Sequence, residues 1–268
     1  FYVVTGWPTM TSFHGLSISS AFLALAGMIA GCATAMAQSC QSESFEDDRY
    51  IVCGFDLADS DIRLFWQQPD GDPYATFATL ANALDLEGMR LEFAMNGGMY
   101  GDDLSPIGLH VEDGQTLRKA NTVTSSQRPA PNFYKKPNGV FYIGDGTAGV
   151  MTTEAYLASP PAARFATQSG PMLVIDGELH PAFIVDSNSR KPRNGVCTPT
   201  PTEVRFAITD GRVNFHDFGR FVRDHLGCDN ALFLDGGSAP GIYAPELDRD
   251  DPPGHGGYGP IIGVVGGG

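Results

Sequence analysis

The feature that most restricts the fold of this chain is a series of Asp-Gly pairs, each placed between two short apolar runs. The pairs are Asp113-Gly114, Asp145-Gly146, Asp176-Gly177 and Asp210-Gly211. Asp and Gly tolerate the positive φ angles of the tight turns that join neighbouring antiparallel strands. We therefore predict hairpins at the first, second and fourth pairs, and a strand that ends in a turn at the third.

Between these turns the apolar pattern predicts further strands and a few helices. Residues 49–57, 61–68, 90–96 and 260–265 have the composition of strands. Residues 74–88 and 215–227 carry apolar residues at helical spacing and end on a glycine, and residues 154–159 fit a shorter helix. Many hairpins with few helices predict an α+β fold. We expect a mixed, largely antiparallel sheet with a few packed helices, in a single domain over residues 38–268.

The composition favours a loop-rich globular protein and argues against a nucleic-acid partner. Charged residues make up 18% of the 268 positions, and the chain has 33 glycines and 19 prolines. The net charge is −14 at pH 7, and a surface this acidic repels the phosphate backbone of nucleic acids. An anionic substrate would need a local basic pocket to overcome the same field.

The N-terminal region has the pattern of an export signal. Residues 16–30 form an apolar run too short to span a bilayer comfortably, and Ala35-Met36-Ala37 matches the small-residue rule for signal cleavage. We predict a leader over residues 1–37 and a periplasmic or extracellular mature protein. Two alternatives remain open. Residues 29–32 also resemble a lipobox, which would attach a lipid anchor at Cys32, and the apolar run also fits an ordinary buried helix.

Cleavage after Ala37 leaves four cysteines, Cys40, Cys53, Cys197 and Cys228. An oxidising compartment favours disulfides, and four cysteines allow three pairings. We expect the two local pairs, Cys40 with Cys53 and Cys197 with Cys228, and four unpaired buried thiols are the alternative. A zinc site is not expected, because these cysteines lack the close spacing of zinc ligands.

Two predicted strands end in the same way, on a polar side chain followed by glycines. One ends at Asn96-Gly97-Gly98 and the other at Asp235-Gly236-Gly237-Ser238. Glycine lets backbone N–H groups approach a ligand with no Cβ in the way. Either motif alone is equally well explained by a tight turn. Together they predict one polar pocket with an amide and a carboxylate in its wall.

The densest basic cluster of this acidic chain is Arg190, Lys191 and Arg193. Guanidinium groups present a rigid fork of donors that suits phosphate oxygens. The cluster therefore predicts an anion-binding loop, and a solvated surface loop is the alternative.

A further polar segment is Ser169-Gly170. It lacks the preceding glycine that a nucleophile elbow requires, because Thr167 stands at that position. We therefore expect the Ser169 hydroxyl and the Gly170 amide to bind substrate rather than to attack it.

Taken in order, these residues resemble the phosphodiester glycosidase, or uncovering-enzyme, domain family. The resemblance extends over residues 91–265 and is specific because several motifs occur in one order. The mammalian member removes N-acetylglucosamine from a mannose 6-phosphate diester on lysosomal enzymes, and bacterial relatives are associated with exopolysaccharide metabolism. The similar segments are Asn96-Gly97-Gly98-Met99-Tyr100, Ser169-Gly170-Pro171, Pro192-Arg193, Asp210-Gly211-Arg212, Asp235-Gly236-Gly237-Ser238 and Gly263-Val264.

Three features depart from the family pattern. Asn194-Gly195 replaces the Thr-Ala that usually follows the arginine, and the aspartate motif has one glycine fewer before Ser238. The segment before the last strand lacks the arginine or asparagine often found there. These features resemble a bacterial subgroup, so the mammalian substrate is not carried over.

The resemblance implies an exported hydrolase that cleaves a sugar 1-phosphodiester in a cell-surface or extracellular glycan. A phosphate leaves as a stabilised anion, so a cationic clamp replaces much of the acid that ordinary glycosidases need. We expect Asp235 to act as nucleophile or general base, Asp210 to be the second carboxylate, and Arg193 with Arg190 to hold the phosphate. The residues expected to orient the sugar and the diester are Asn96, Gly97, Gly98, Ser169, Gly170, Gly236, Gly237 and Ser238.

Two other functions remain open. The oxygens of Asp235, Asp210 and Asn96 suit a divalent cation, which would direct cleavage to phosphorus; the expected glycosidase mechanism requires no cofactor. The chain is alternatively a non-catalytic module that binds an anionic cell-surface polymer. The combination of a carboxylate, an arginine and glycine-lined strand ends argues against a non-catalytic module, because it exceeds what retention of an anion requires.

Overall fold

The computed structural model describes residues 39–267 of the chain. These residues form seventeen strands and three α-helices, with 3₁₀ turns at Asn132–Tyr134 and Pro245–Leu247. The elements in chain order are β1 (Ser39–Phe45), β2 (Asp48–Asp56), β3 (Asp61–Phe65), α1 (Phe77–Leu86), β4 (Met89–Asn96), β5 (His110–Glu112), β6 (Gln115–Arg118), β7 (Gly139–Gly144), β8 (Thr147–Thr152), α2 (Thr153–Ala158), β9 (Phe165–Ser169), β10 (Met172–Ile175), β11 (Glu178–Leu179), β12 (Arg193–Thr200), β13 (Glu203–Thr209), α3 (Phe215–Arg220), β14 (Ala231–Gly236), β15 (Ile242–Ala244), β16 (Arg249–Asp250) and β17 (Ile261–Gly267).

The strands divide among three sheets. The seven-stranded sheet has the order β1-β2-β13-β12-β14-β10-β11, and the five-stranded sheets have the orders β16-β15-β4-β17-β3 and β6-β5-β9-β7-β8. Every pairing between these strands is antiparallel. The predicted α+β single domain is confirmed, with strands spread over three sheets rather than one.

The main core lies where the three sheets face one another. Phe93, Phe141, Phe206, Leu232 and Ile262 come from all three sheets, and each is no more than 1% exposed. The Phe93 and Phe206 rings stack with their centroids 5.2 Å apart. Burial of such large apolar side chains is the dominant stabilising contribution to a fold of this kind.

The helices cover the outer faces of the sheets. The N-cap residue of α1 is Thr76, whose side chain accepts a hydrogen bond from the Thr79 N–H. After the helix, Gly88 has φ of +73°, which lets the chain turn. The helix α3 continues as one π-helical turn, Phe221–His225. Its Phe221 ring stacks on Tyr50 of the seven-stranded sheet at a centroid distance of 3.7 Å.

Three of the four predicted Asp-Gly turns are confirmed. They join β5 to β6, β7 to β8, and β10 to β11, and both residues of each pair have positive φ. The predicted hairpin at Asp210-Gly211 is wrong, because β13 ends at Thr209 and the chain proceeds to α3. The reason lies in the sheet order. Strand β13 is flanked by β2 and β12, so no free edge remains for a strand that follows it.

Both predicted disulfides are present. Cys40–Cys53 joins β1 to β2, and Cys197–Cys228 joins β12 to the segment before β14. The predicted leader over residues 1–37, and with it the lipid anchor at Cys32, lies outside the described residues. Within residues 39–267, no helix has the length and apolar character needed to cross a membrane.

Candidate active site

The carboxylate Asp235 lies at the end of β14, where the strand leaves the core. The four residues before it, from Ala231 to Leu234, are completely buried, whereas Asp235 is half-buried. Strand β12 lies alongside, and its register pairs Asn194 with Asp235 and Arg193 with Gly236. The two residues that the sequence singled out as carboxylate and phosphate clamp therefore lie on neighbouring strands.

A chain of hydrogen bonds fixes the backbone at Asp235. The Asn194 Oδ1 accepts from the Asp235 N–H at 2.9 Å, and the Asn194 Nδ2 donates to Asn96 Oδ1 at 2.7 Å. The same Asn96 oxygen accepts from the Gly241 N–H at 3.0 Å. Since Asn96 ends β4, this chain connects two sheets directly behind the carboxylate.

The surroundings of Asp235 raise its pKa from 3.8 to about 7, and burial is the largest cause. A hydrogen bond of 2.7 Å from the Gly236 N–H to Asp235 Oδ1 works in the opposite direction and favours the charged form. A carboxyl group with a pKa near neutrality exchanges protons readily at physiological pH, as general acid–base catalysis requires.

The Asp235 side chain lines a cavity of about 420 Å³, which we call the Asp235 cavity. Its other polar side chains are Tyr100, Asp102 and His255, and its apolar wall includes Met99 and Ile107. No lysine or arginine of the described chain lines it. The cavity is therefore acidic, and its mixture of polar groups and apolar wall suits a sugar better than an anion.

Two groups in this cavity are held in place by their neighbours. The Tyr100 hydroxyl donates to the Gly257 carbonyl oxygen at 3.0 Å, and burial raises the Tyr100 pKa to about 12. The Nε2 atom of His255 lies 2.7 Å from the Ser238 Oγ. Tyr100 therefore stays protonated at neutral pH, and Ser238 orients an imidazole at the rim of the cavity.

Arg193 is a buried cation that makes no ion pair with any described residue. It is 2% exposed, its Nε donates to the Val213 carbonyl at 2.7 Å, and its Nη2 donates to the Ser189 carbonyl at 3.0 Å. The guanidinium lies 3.6 Å from the centre of the Phe215 ring. Burial lowers the pKa of Arg193 to about 10, so it is still charged at neutral pH. A buried charge without a counter-ion is costly, which is typical of a site that receives an anion.

Arg193 lines a second cavity of about 320 Å³, which we call the Arg193 cavity. Lys135 and Lys191 also line it, and no carboxylate does. Gly236 lines both cavities. A Cβ at this position would lie 2.8 Å from the Phe233 Cζ and 3.2 Å from the Pro192 oxygen. Asp235 and Arg193 thus face adjoining cavities of opposite charge that meet at a glycine.

Five of the residues expected to orient the substrate lie behind the cavities rather than in their walls. The buried Ser169 donates its hydroxyl to the Leu234 carbonyl at 2.7 Å, and so supports the strand next to Asp235. Gly98 has φ of +148°, and a Cβ there would lie 2.9 Å from the Thr167 Oγ1. These five residues, which line neither cavity, are Asn96, Gly97, Gly98, Ser169 and Gly170; Ser238 also lines neither cavity and lies beside the rim.

Two charged candidates lie elsewhere on the surface. Arg190 contacts Asp48 with its Nη2 and Asp217 with its Nη1, at 2.5 and 3.4 Å. Asp210 forms an exposed ion pair with Arg49 at 3.1 Å. Neither residue lines the Asp235 cavity or the Arg193 cavity. Of the predicted substrate-binding residues, Arg193, Gly236 and Gly237 do line these cavities, and Ser238 contacts the rim residue His255.

The three residues of the metal alternative are not arranged as a ligand set. The Asn96 oxygen is occupied by two N–H donors, and Asp210 is paired with Arg49. Among residues 39–267, no group of three or more His, Cys, Asp or Glu side chains is positioned to hold a metal ion.

The segment that forms the two cavities matches a known family. A family model described as phosphodiester glycosidase matches residues 89–264. The chain belongs to the phosphodiester glycosidase family. Every residue that lines the Asp235 cavity or the Arg193 cavity falls within this phosphodiester glycosidase segment.

One relative and two solved structures are similar to this chain. The uncharacterized protein YigE of Escherichia coli (strain K12) is 31% identical over 175 residues, which are 65% of this chain and 66% of YigE. The catalytic domain of zebrafish N-acetylglucosamine-1-phosphodiester alpha-N-acetylglucosaminidase, auto-inhibited by its pro-peptide, has a TM-score of 0.55 at 12% identity, covering 84% of this chain and 81% of that one. A hypothetical protein from Synechocystis has a TM-score of 0.52 at 14% identity, covering 84% and 61%. At these identities the two structures establish the shared fold.

Sequence reasoning missed several residues of this candidate site. Lys135 lines the Arg193 cavity but is far from Arg193 in the sequence, and it belongs to no recognised motif. In the sequence, Asn194 was noted only as a departure from the family pattern, and Tyr100 was noted only as the last residue of the segment that begins with Asn96-Gly97-Gly98. His255 stands in a Pro- and Gly-rich stretch, and that composition is the one local signal of an active-site loop there.

Proposed function

We propose that this chain is an exported hydrolase that cleaves a sugar 1-phosphodiester at its glycosidic bond, in a cell-surface or extracellular glycan. The observation that carries the proposal is the arrangement of Asp235 and Arg193 on neighbouring strands, each facing a cavity of opposite charge, with Gly236 shared between the two. In this arrangement the sugar occupies the Asp235 cavity and the phosphate enters the Arg193 cavity.

The chemistry at Asp235 follows from its pKa of about 7. The bond from the anomeric carbon to the phosphate oxygen breaks, and its electron pair stays on that oxygen. Water supplies the hydroxyl group that the sugar receives, and the proton of that water passes to the ionised Asp235 and then to solvent. In a covalent variant Asp235 itself forms the new bond to carbon first, and water then hydrolyses the ester.

The leaving group explains why one carboxylate suffices. An ordinary glycosidase protonates a departing alkoxide and uses a second carboxylic acid to do so. A phosphate monoester departs as a stable anion, and a fixed cation stabilises the charge that it gains. Arg193 is suited to this role because it carries no ion pair with another described residue and lies in a wall without carboxylates.

The sugar is the finer part of the proposal. The zebrafish protein of similar fold is named as acting on an N-acetylglucosamine 1-phosphodiester, so N-acetylglucosamine is the first sugar to test. The direct test is incubation with N-acetylglucosamine 1-(methyl phosphate) in ¹⁸O-labelled water. Cleavage at carbon places the label in the sugar, whereas cleavage at phosphorus places it in methyl phosphate and overturns the proposal. A parallel assay with a chelator shows whether a divalent cation is needed.

Matched variants identify the carboxylate. Asp235→Asn preserves the size of the side chain and the bond from the Gly236 N–H, so we expect the fold to remain and turnover to fall about 10²- to 10⁴-fold. Asp210→Asn removes one charge from the exposed pair with Arg49, and we expect near-normal turnover. The reverse pattern would assign the reaction to Asp210 instead.

Export is supported by the two disulfides, which are typical of oxidising compartments. Intact mass of the protein isolated from its native cell tests the leader. A chain that begins at Gln38 indicates cleavage after Ala37, and a lipid-modified chain that begins at Cys32 indicates an anchor.

A further inference from the structure

The Arg193 cavity holds more positive charge than binding of a phosphodiester requires. A diester has one negative charge, whereas three cationic side chains, Lys135, Lys191 and Arg193, line this cavity. The remaining polar side chains are Asn132 and Ser189, which are neutral. No described carboxylate pairs with any of the three cations.

Lys135 is held inside the cavity rather than in solvent. It is half-buried, its Nζ donates to Asn132 Oδ1 at 3.0 Å, and its ammonium group lies 5.2 Å from the centre of the Phe215 ring. Arg193 contacts the same ring. Burial and the charge of Arg193 both lower the Lys135 pKa, so the two cations lie close enough to repel each other. An anion between them would relieve this repulsion.

Lys191 brings a third charge from the same segment as Arg193, two residues before it in the chain. Its backbone exchanges two hydrogen bonds with Val213, at 3.1 and 3.0 Å, and this bridge fixes the segment that holds both Lys191 and Arg193. Its side chain is exposed at the mouth of the cavity. The three charges therefore come from two segments, one with Lys135 and one with Lys191 and Arg193, which the fold brings to one place.

We propose that the Arg193 cavity is a site for a phosphate dianion, which binds phosphomonoesters and inorganic phosphate more tightly than phosphodiesters, and that Lys135 and Lys191 provide this preference. The role in turnover rests on the proposed function. When the bond to the anomeric carbon breaks, the electron pair stays on phosphorus-bound oxygen, and the phosphate charge changes from −1 to −2. Lys135 and Lys191 then stabilise the charge that appears during the reaction, which accelerates it.

This preference has a regulatory consequence. The phosphomonoester product and free inorganic phosphate carry the same charge at pH 8, so both should compete for the cavity with the diester substrate. The enzyme would then be most active where inorganic phosphate is scarce.

The test is calorimetric binding to the full folded protein at pH 8, which does not depend on turnover. Inorganic phosphate and methyl phosphate serve as dianions, and dimethyl phosphate serves as the monoanion. We expect both dianions to bind and dimethyl phosphate to bind at least 10-fold more weakly. Lys135→Met and Lys191→Met each should weaken dianion binding roughly 10-fold or more, as loss of a charge-assisted hydrogen bond predicts.

The matched control is Lys119→Met. Lys119 is an exposed lysine that lines a different cavity, so its loss removes the same charge elsewhere. We expect it to leave phosphate binding within about 2-fold of the unmodified protein, because Lys119 does not line the Arg193 cavity and interactions of an exposed charge are screened by salt. A thermal unfolding scan of each variant establishes that it is folded.

The outcomes separate this inference from the proposed function. Equal affinity for dimethyl phosphate and methyl phosphate, no detectable phosphate binding, or an effect of Lys119→Met equal to that of Lys135→Met would overturn the dianion site, even in an enzyme that hydrolyses sugar 1-phosphodiesters. Selective dianion binding in a protein that hydrolyses no such diester would support the dianion site and remove the proposed reaction.

Discussion

Asn194 and Asp235 face each other across β12 and β14, and the Asn194 carboxamide oxygen accepts the backbone N–H of Asp235 at 2.9 Å. The other end of the same carboxamide donates to Asn96 in a different sheet. One side chain therefore holds the carboxylate strand, the arginine strand and β4 in a fixed arrangement. Catalysis at a carboxylate depends on such fixed geometry, because small displacements lower the rate steeply.

The first prediction concerns this connection. Asn194→Ala leaves the buried Asp235 N–H without a side-chain acceptor and removes one donor from Asn96. We expect the free energy of unfolding to fall by about 1–3 kcal/mol. Denaturant unfolding measures it, and Asn188→Ala, at an exposed asparagine, is the control with an expected change within about 0.5 kcal/mol. Equal effects of the two variants would show that the connection contributes nothing measurable.

The second prediction is a dependence of stability on pH. The pKa of Asp235 is 3.8 in the reference state and about 7 in the fold, so the native state holds the proton more tightly. The stabilisation that the native state gains from holding this proton is complete below about pH 4. It is lost as pH rises through 7, because the carboxylate is then charged and burial disfavours the charged form. Asp235→Asn removes that cost. We therefore expect the variant to gain roughly 2–4 kcal/mol over the unmodified protein between pH 4 and pH 8. A difference that stays constant with pH would contradict the raised pKa.

The third prediction concerns the rate. If ionised Asp235 is the base or nucleophile, kcat/KM for a sugar 1-phosphodiester should rise about 10-fold per pH unit below pH 7 and level off above it. A pH profile of the unmodified enzyme measures this limb. A kcat/KM that falls with rising pH would instead indicate that the reaction requires the protonated carboxyl group, and Asp235 would then be an acid rather than a base.

The fourth prediction separates the two arginines. Arg193→Met retains an apolar contact with Phe215 but removes the buried charge, so we expect kcat/KM for a phosphodiester to fall roughly 10²- to 10³-fold. For a neutral aryl glycoside of the same sugar, the kcat/KM of this variant should fall much less. Arg190→Met breaks surface ion pairs with Asp48 and Asp217. It should leave the ratio of kcat/KM for the phosphodiester to kcat/KM for the aryl glycoside unchanged. Equal losses on both substrates in Arg193→Met would refute the phosphate clamp.

Local signals explain which predictions from sequence were correct. The turns at Asp113, Asp145 and Asp176 depend on the φ angles of two adjacent residues, and the two disulfides join cysteines that are close in the chain. The turn at Asp210 has the same local signal and did not form a hairpin. Its strand was already flanked on both sides by strands distant in sequence. A local pattern predicts that the chain turns, but it does not indicate whether a sheet edge is free to pair with the next strand.

The amino-acid sequence by itself determined the α+β class, the strand ends at Asn96 and Asp235, and the basic segment that contains Arg193. Only the tertiary structure decided which of these residues face a ligand. It brought Lys135 to Arg193, turned Ser169 and Asn96 inward as supports, and separated Asp235 from Arg193 into adjoining cavities. The physical reason is that turn and strand preferences act over a few residues. The walls of a cavity depend instead on register and packing between segments that are far apart in the chain.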